Sequence, residues 1–97
     1  MASTIRLQFI AKKVIPILRK NNVVKAGIFG SYARGEWRKK SDVDIIIKQK
    51  GKNNLLGLVR LERELERCLG RKVDLLTYGG LSPYLKDRIL KEEVRII

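Results

Sequence analysis

The apolar positions Ile10, Val14, Ile17 and Leu18 recur at helical spacing up to about Lys20, which predicts an amphipathic first helix with Ser3 or Thr4 as its N-cap. Pro16 falls inside that pattern. It predicts a kink or a break into two shorter pieces, because proline removes a backbone donor and crowds the preceding turn. Asn21-Asn22 ends the helix, since asparagine tolerates the left-handed backbone of a helix stop. Val23 to Phe29 then reads as a strand, and Val43 to Ile47, a β-branched run, as a second, buried one. Lys50-Gly51-Lys52 makes a polar turn, after which Asn53 or Asn54 caps a second long helix. Leu58, Leu61, Leu65 and Leu69 form the apolar stripe of that helix, with charged residues on its other faces, and Gly70 stops it. Lys72 to Thr77 reads as a third strand and Gly79-Gly80 as a turn. Ser82-Pro83 fits an N-cap followed by proline at the first position of a last helix, running to about Lys91. Val94 to Ile97 is either a short terminal strand or a tail for a partner to cover.

These elements predict an α/β (α+β) fold, a small mixed sheet of three to four strands flanked by helices. The first strand ends at Gly30 and the second begins by Asp42. A short helical link therefore makes them antiparallel neighbours. The helix connection from the second strand to the third allows a parallel crossover, which would bring Asp74 to the level of Asp42 and Asp44 at one end of the sheet.

A length of 97 residues predicts a single domain, 1–97, too short to add a separate substrate domain, so anything large that it acts on would be bound in trans. The composition, 44% apolar and 33% charged, suits a folded chain rather than a disordered one. No apolar run reaches the length of a membrane span and no signal-peptide pattern opens the chain, so the expected location is cytoplasmic, with no membrane partner. The single cysteine, Cys68, reads as a half-buried core thiol and excludes a disulfide framework. A formal charge of +12 attracts polyanions: a nucleoside triphosphate, an acidic partner or nucleic acid. The basic residues are spread along the chain, however, and nucleic acid is a possible rather than a favoured partner.

Alternate strand residues face the same way, so Asp42 and Asp44 project together, while Val43, Ile45 and Ile47 anchor the opposite face. Paired carboxylates suit a hard cation such as Mg²⁺, which takes oxygen ligands and is shared with substrate phosphates. The plainer reading is a strand that starts in solvent, each aspartate pairing with a nearby Lys or Arg. Gly30-Ser31 at the end of the preceding strand lets a phosphate approach the backbone and offers it N–H groups and a hydroxyl. Arg34 and the link Arg38-Lys39-Lys40 could add positive charge; alternatively Arg34 pairs with Glu36 and the link is a solvated loop. Trp37 is open to two readings, an exposed contact or a residue packed under the loop.

Gly30-Ser31-Tyr32-Ala33-Arg34-Gly35, then Ser41-Asp42-Val43-Asp44 followed by three isoleucines, resembles the signature of the nucleotidyltransferase superfamily that includes DNA polymerase beta, and in particular its minimal nucleotidyltransferase (MNT) branch. The resemblance covers about Val23 to Thr77. It implies that Gly30 and Ser31, with Arg34 as helper, bind the nucleotide triphosphate, and that Asp42 and Asp44 coordinate two Mg²⁺ ions. Asp74 would be the third carboxylate, binding one ion and helping to deprotonate the acceptor hydroxyl. Relatives of this branch act as antitoxins beside a HEPN-domain ribonuclease toxin and transfer AMP from ATP to a tyrosine of that toxin. The resemblance thus implies a Mg-dependent protein adenylyltransferase of a toxin-antitoxin system. Two alternatives stand beside it. One is a non-catalytic module that neutralises a partner by docking, using Trp37, the last helix and the tail. The other is a nucleotidyltransferase that binds or modifies nucleic acid.

Overall fold

The structure is a computed structural model that describes residues 2–34, 42–51 and 54–97, with the side chains of residues 2–5, Ser31 and Arg34 outside that description. Among the described residues four helices and four strands follow in the order α1 (Ala2–Lys20), β1 (Val23–Phe29), α2 (Gly30–Arg34), β2 (Val43–Gln49), α3 (Leu55–Leu69), β3 (Val73–Thr77), α4 (Pro83–Glu92) and β4 (Val94–Arg95). A short 3-10 turn, Tyr78–Gly80, precedes α4.

The local signals act largely as their chemistry requires. Asn22, at φ 63°, turns the chain out of α1, and the Asn21 side-chain amide donates to the Ile17 carbonyl at 2.8 Å. Asn54 caps α3, its Oδ1 accepting from the Gly57 N–H at 2.6 Å, whereas Lys52 and Asn53 lie outside the described residues. Gly70 closes α3 by donating its N–H to the Glu66 carbonyl at 2.8 Å. Ser82 accepts from the Leu85 N–H at 3.4 Å and Pro83 opens α4.

At α1 the expected cap fails, and of the two readings of Pro16, a kink or a break, the break fails. The helix begins at Ala2, so Ser3 and Thr4 lie within it and are not its cap. Both residues are only mildly disfavoured inside a helix, and each added residue gains a backbone bond. Pro16 does not divide the helix, which runs through it as one element. Val14 and Leu18, on either side of the proline and fully buried, hold both halves against the same core.

The sheet order is β3-β2-β1-β4, with β1 antiparallel to β2 and to β4, and β2 parallel to β3. On one face Ala26, Ile28, Val43, Ile45, Ile47 and Val73 meet Ile10, Val14 and Leu18 of α1 and Leu61 and Leu65 of α3. Leu58 and Leu69 complete the α3 stripe at the margin of this core. A Lys20 Nζ to Glu64 Oε2 ion pair at 2.8 Å ties α1 to α3, and the lysine lowers the Glu64 pKa below its ordinary value. Cys68 is a free, half-buried thiol 3.8 Å from the Lys13 carbonyl.

The opposite face carries a smaller cluster, Phe29, Ile46 and Ile89, with Tyr78 and Leu81 against it, so α4 covers only part of this side. Gly27 makes room here: a Cβ on it would collide with Glu93, whose Oε1 accepts from the Tyr78 hydroxyl at 2.5 Å. The terminal segment joins this chain's own sheet. Val94 and Arg95 pair with β1, Ile96 donates to the Ala26 carbonyl at 2.9 Å, and Ile96 and Ile97 pack on the main core. Among the described residues no helix is long and apolar enough to cross a membrane.

Candidate active site

The strand register assembles the site. In the parallel β2–β3 ladder Asp44 stands opposite Asp74, as Val43 does opposite Val73. Val43 and Val73 are fully buried on the helix-covered face, so the pleat turns Asp44 and Asp74 to the other. Asp42, just before β2, shares that direction, and all three aspartates line one cleft of about 430 Å³. Asp42 and Asp44 are partly buried and Asp74 is exposed. The gathering expected of the three carboxylates is therefore present in the tertiary structure.

Gly30 lines the same cleft at the turn from β1 into α2, with φ 73°. A Cβ at this position would collide with Asp44 Oδ2, so the absence of a side chain is what allows the carboxylate its place. Ser31 and Arg34 follow in α2, and their side chains lie outside the description. Gly35, Glu36, Trp37, the Arg38–Lys40 link and Ser41 lie outside the described residues. Tyr32, in the same motif, faces the main core with 1% exposure, and its hydroxyl accepts from Arg71.

The donor set fits magnesium: three carboxylates supply hard oxygen ligands at one cleft. Among the described residues no group of three His, Cys, Asp or Glu side chains is arranged to hold a metal ion by itself. Mg²⁺ does not demand one, because it keeps several waters and is held by one or two carboxylates plus substrate phosphates.

The far wall of the cleft was not legible in the sequence motif. Leu85, Arg88, Ile89 and Glu92 of α4 line it, together with Phe29 and Leu76. The one available signal was spacing. These four recur at the i, i+3, i+4, i+7 positions of one helix face, and two charged residues on the stripe that carries Ile89 mark a face that is only partly core.

Comparison with known proteins gives the family of the chain. The family model described as polymerase beta, nucleotidyltransferase matches residues 12–97. Over 88 residues the chain is 52% identical to a Methanocaldococcus jannaschii protein named "Putative protein adenylyltransferase MJ0435", taking in 91% of this chain and 95% of that one. It is 39% identical over 74 residues to the protein adenylyltransferase MntA of Thermococcus cleftensis, covering 76% and 75% of the two chains. A crystal structure of a toxin-antitoxin with AMP-PNP superposes with a TM-score of 0.83 at 25% identity, over 90% of this chain and 72% of that one. The chain belongs to the polymerase beta nucleotidyltransferase family, on its minimal nucleotidyltransferase branch, and is an enzyme of nucleotidyl transfer.

Proposed function

We propose that this protein transfers AMP from ATP to a tyrosine hydroxyl of a partner HEPN-type toxin and so serves as the antitoxin. The observation that carries the reading is the convergence of Asp42, Asp44 and Asp74 with Gly30 on one cleft. The kinship with protein adenylyltransferases and the likeness to a toxin-antitoxin structure holding AMP-PNP support the choice of nucleotide and partner.

In this reading Gly30 and Ser31 seat the triphosphate against the backbone, with Arg34 adding charge. Asp42 and Asp44 would hold two Mg²⁺ ions, and Asp74 would share one of them. The chemistry Mg²⁺ would supply there is stabilisation of the attacking and leaving oxygens in an in-line displacement at the α-phosphorus. A carboxylate oxygen of Asp74 takes the proton of the acceptor hydroxyl. Asp74 suits that role because it is the exposed member of the set, reachable from outside. The bond from the α-phosphorus to pyrophosphate breaks as the bond to the tyrosine oxygen forms. Residues 1–97 would act as one minimal domain, with the acceptor bound in trans, and a cytoplasmic setting goes with the use of ATP.

Pure docking loses part of its basis, because the terminal segment is spent within this chain's own sheet. The test is transfer of α-phosphate label from ATP, with Mg²⁺, to the cognate HEPN protein, wild type against Asp44→Asn. Label on a toxin tyrosine that disappears in the variant is the expected result. Toxin neutralised equally by both proteins, with no label on it, would overturn the reading in favour of docking.

A further inference from the structure

We infer that Arg88 grips the phosphates of the bound nucleotide from the α4 side of the cleft, exchanging its loose ion pair with Glu92 for them. This rests on the nucleotidyl-transfer reading and adds to it a residue outside the sequence motif.

The first ground is charge. Among the described residues lining the cleft, Asp42, Asp44, Asp74 and Glu92 are acidic and Arg88 alone is basic. A triphosphate is itself a polyanion, and such a wall repels it unless cations intervene. Ions held by the aspartates act at the β2–β3 side. Arg88 brings a permanent positive charge from the other wall, on a planar fork of donors that matches phosphate oxygens in pairs.

The second ground is that the Arg88–Glu92 pair does little for its own helix. Arginine preceding glutamate at i, i+4 is the poorer orientation, and an anion in the last turn of a helix opposes the helix dipole. The contact runs through Nε at 3.6 Å, longer than a hydrogen bond, and it leaves both terminal amino groups of the guanidinium uncommitted by that contact. The Arg88 side chain is 70% exposed, so exchanging this loose partner for phosphate requires no repacking. Ile89, next along the chain and 5% exposed, fixes α4 against Phe29 and Ile46 and so fixes where Arg88 emerges.

The test is calorimetric binding to the full chain, with Mg²⁺, of the α,β-imido analogue of ATP, which cannot be transferred, and of AMP. Arg88→Gln should weaken the triphosphate analogue about tenfold or more and leave AMP within about twofold. Arg88→Lys, which keeps charge without the fork, should fall between, and Glu92→Gln should bind the analogue at least as tightly as wild type. Thermal melts of both Arg88 variants should match wild type, because the side chain is mostly in solvent. Should Arg88→Gln melt early, Arg88→Lys carries the same comparison. Analogue binding unchanged by either Arg88 substitution, or AMP and analogue weakened alike, overturns the proposal. If Asp44→Asn still weakens the analogue in that case, nucleotidyl transfer stands and only the role of Arg88 falls. If wild type binds neither ligand, both fall together.

Discussion

The carboxylate of Asp44 stands in the space that a side chain on Gly30 would need. Gly30 also has φ 73°, a conformation that L side chains rarely adopt. One residue thus ends a strand, turns the chain into α2 and leaves a catalytic candidate its position. Gly30→Ala should cost about 1–2 kcal/mol of stability through the left-handed backbone alone. It should lower label transfer more than stability predicts, on the order of 100-fold, because Asp44 must move. Urea unfolding and initial transfer rates, measured on one preparation, separate the two effects. Full activity in a protein destabilised only by backbone strain would show that the position of Asp44 is uncritical.

The three aspartates can be removed one at a time. Asp42→Asn, Asp44→Asn and Asp74→Asn should each lower the transfer rate by on the order of 100-fold or more, since each removes charge needed only at the reacting phosphate. None should unfold the protein, as no charged side chain among the described residues is fully buried. EDTA should abolish transfer by wild type and excess Mg²⁺ should restore it, read by label on the acceptor. Transfer that persists in EDTA would remove the metal role of the carboxylates.

Tyr78 gives a pH dependence of defined sign. Burial pushes its phenol pKa above the ordinary value of 10, and the hydrogen bond to Glu93 pushes it further in the same direction. The folded state therefore favours the protonated form. Its contribution is fully present below the unfolded pKa of about 10 and is lost as pH rises through the higher folded value. Tyr78→Phe should cost about 1 kcal/mol at neutral pH by removing the donor to Glu93. It should also flatten the alkaline fall in Tm. A Tyr78→Phe protein whose melting temperature drops as steeply as wild type above pH 10 would place that fall elsewhere.

Leu65 joins α3 to the main core with 0% exposure. Leu65→Ala should cost about 2–5 kcal/mol, the range for a fully buried leucine whose cavity only partly collapses. Chemical denaturation measures the loss. Below the new midpoint, transfer per folded molecule should match wild type, because Leu65 packs on the face away from the aspartates.

Much of this protein is decided locally and can be read without a structure. A 3.6-residue period in Leu58, Leu61, Leu65 and Leu69 predicts α3 and its buried side. Asn22, Gly70 and Ser82-Pro83 act within a turn of themselves, so their chemistry suffices to place helix ends. The two-residue pleat puts Asp42 and Asp44 on one side of the second strand. A short link and then a helix set strand directions, and with them the level of Asp74. The tertiary structure decided what depends on contacts distant in sequence. Pro16 stays within one helix because both halves share a core, a matter of packing that local propensity does not contain. The terminal segment pairs with β1 across some 70 residues, a contact its own composition does not announce. Likewise α4 closes over the carboxylate face because Ile89 finds Phe29 and Ile46 there, and this alone makes Arg88 and Glu92 a wall of the site. Periodicity says which side of a helix is apolar, but the surface that side meets is set by the burial of the whole chain.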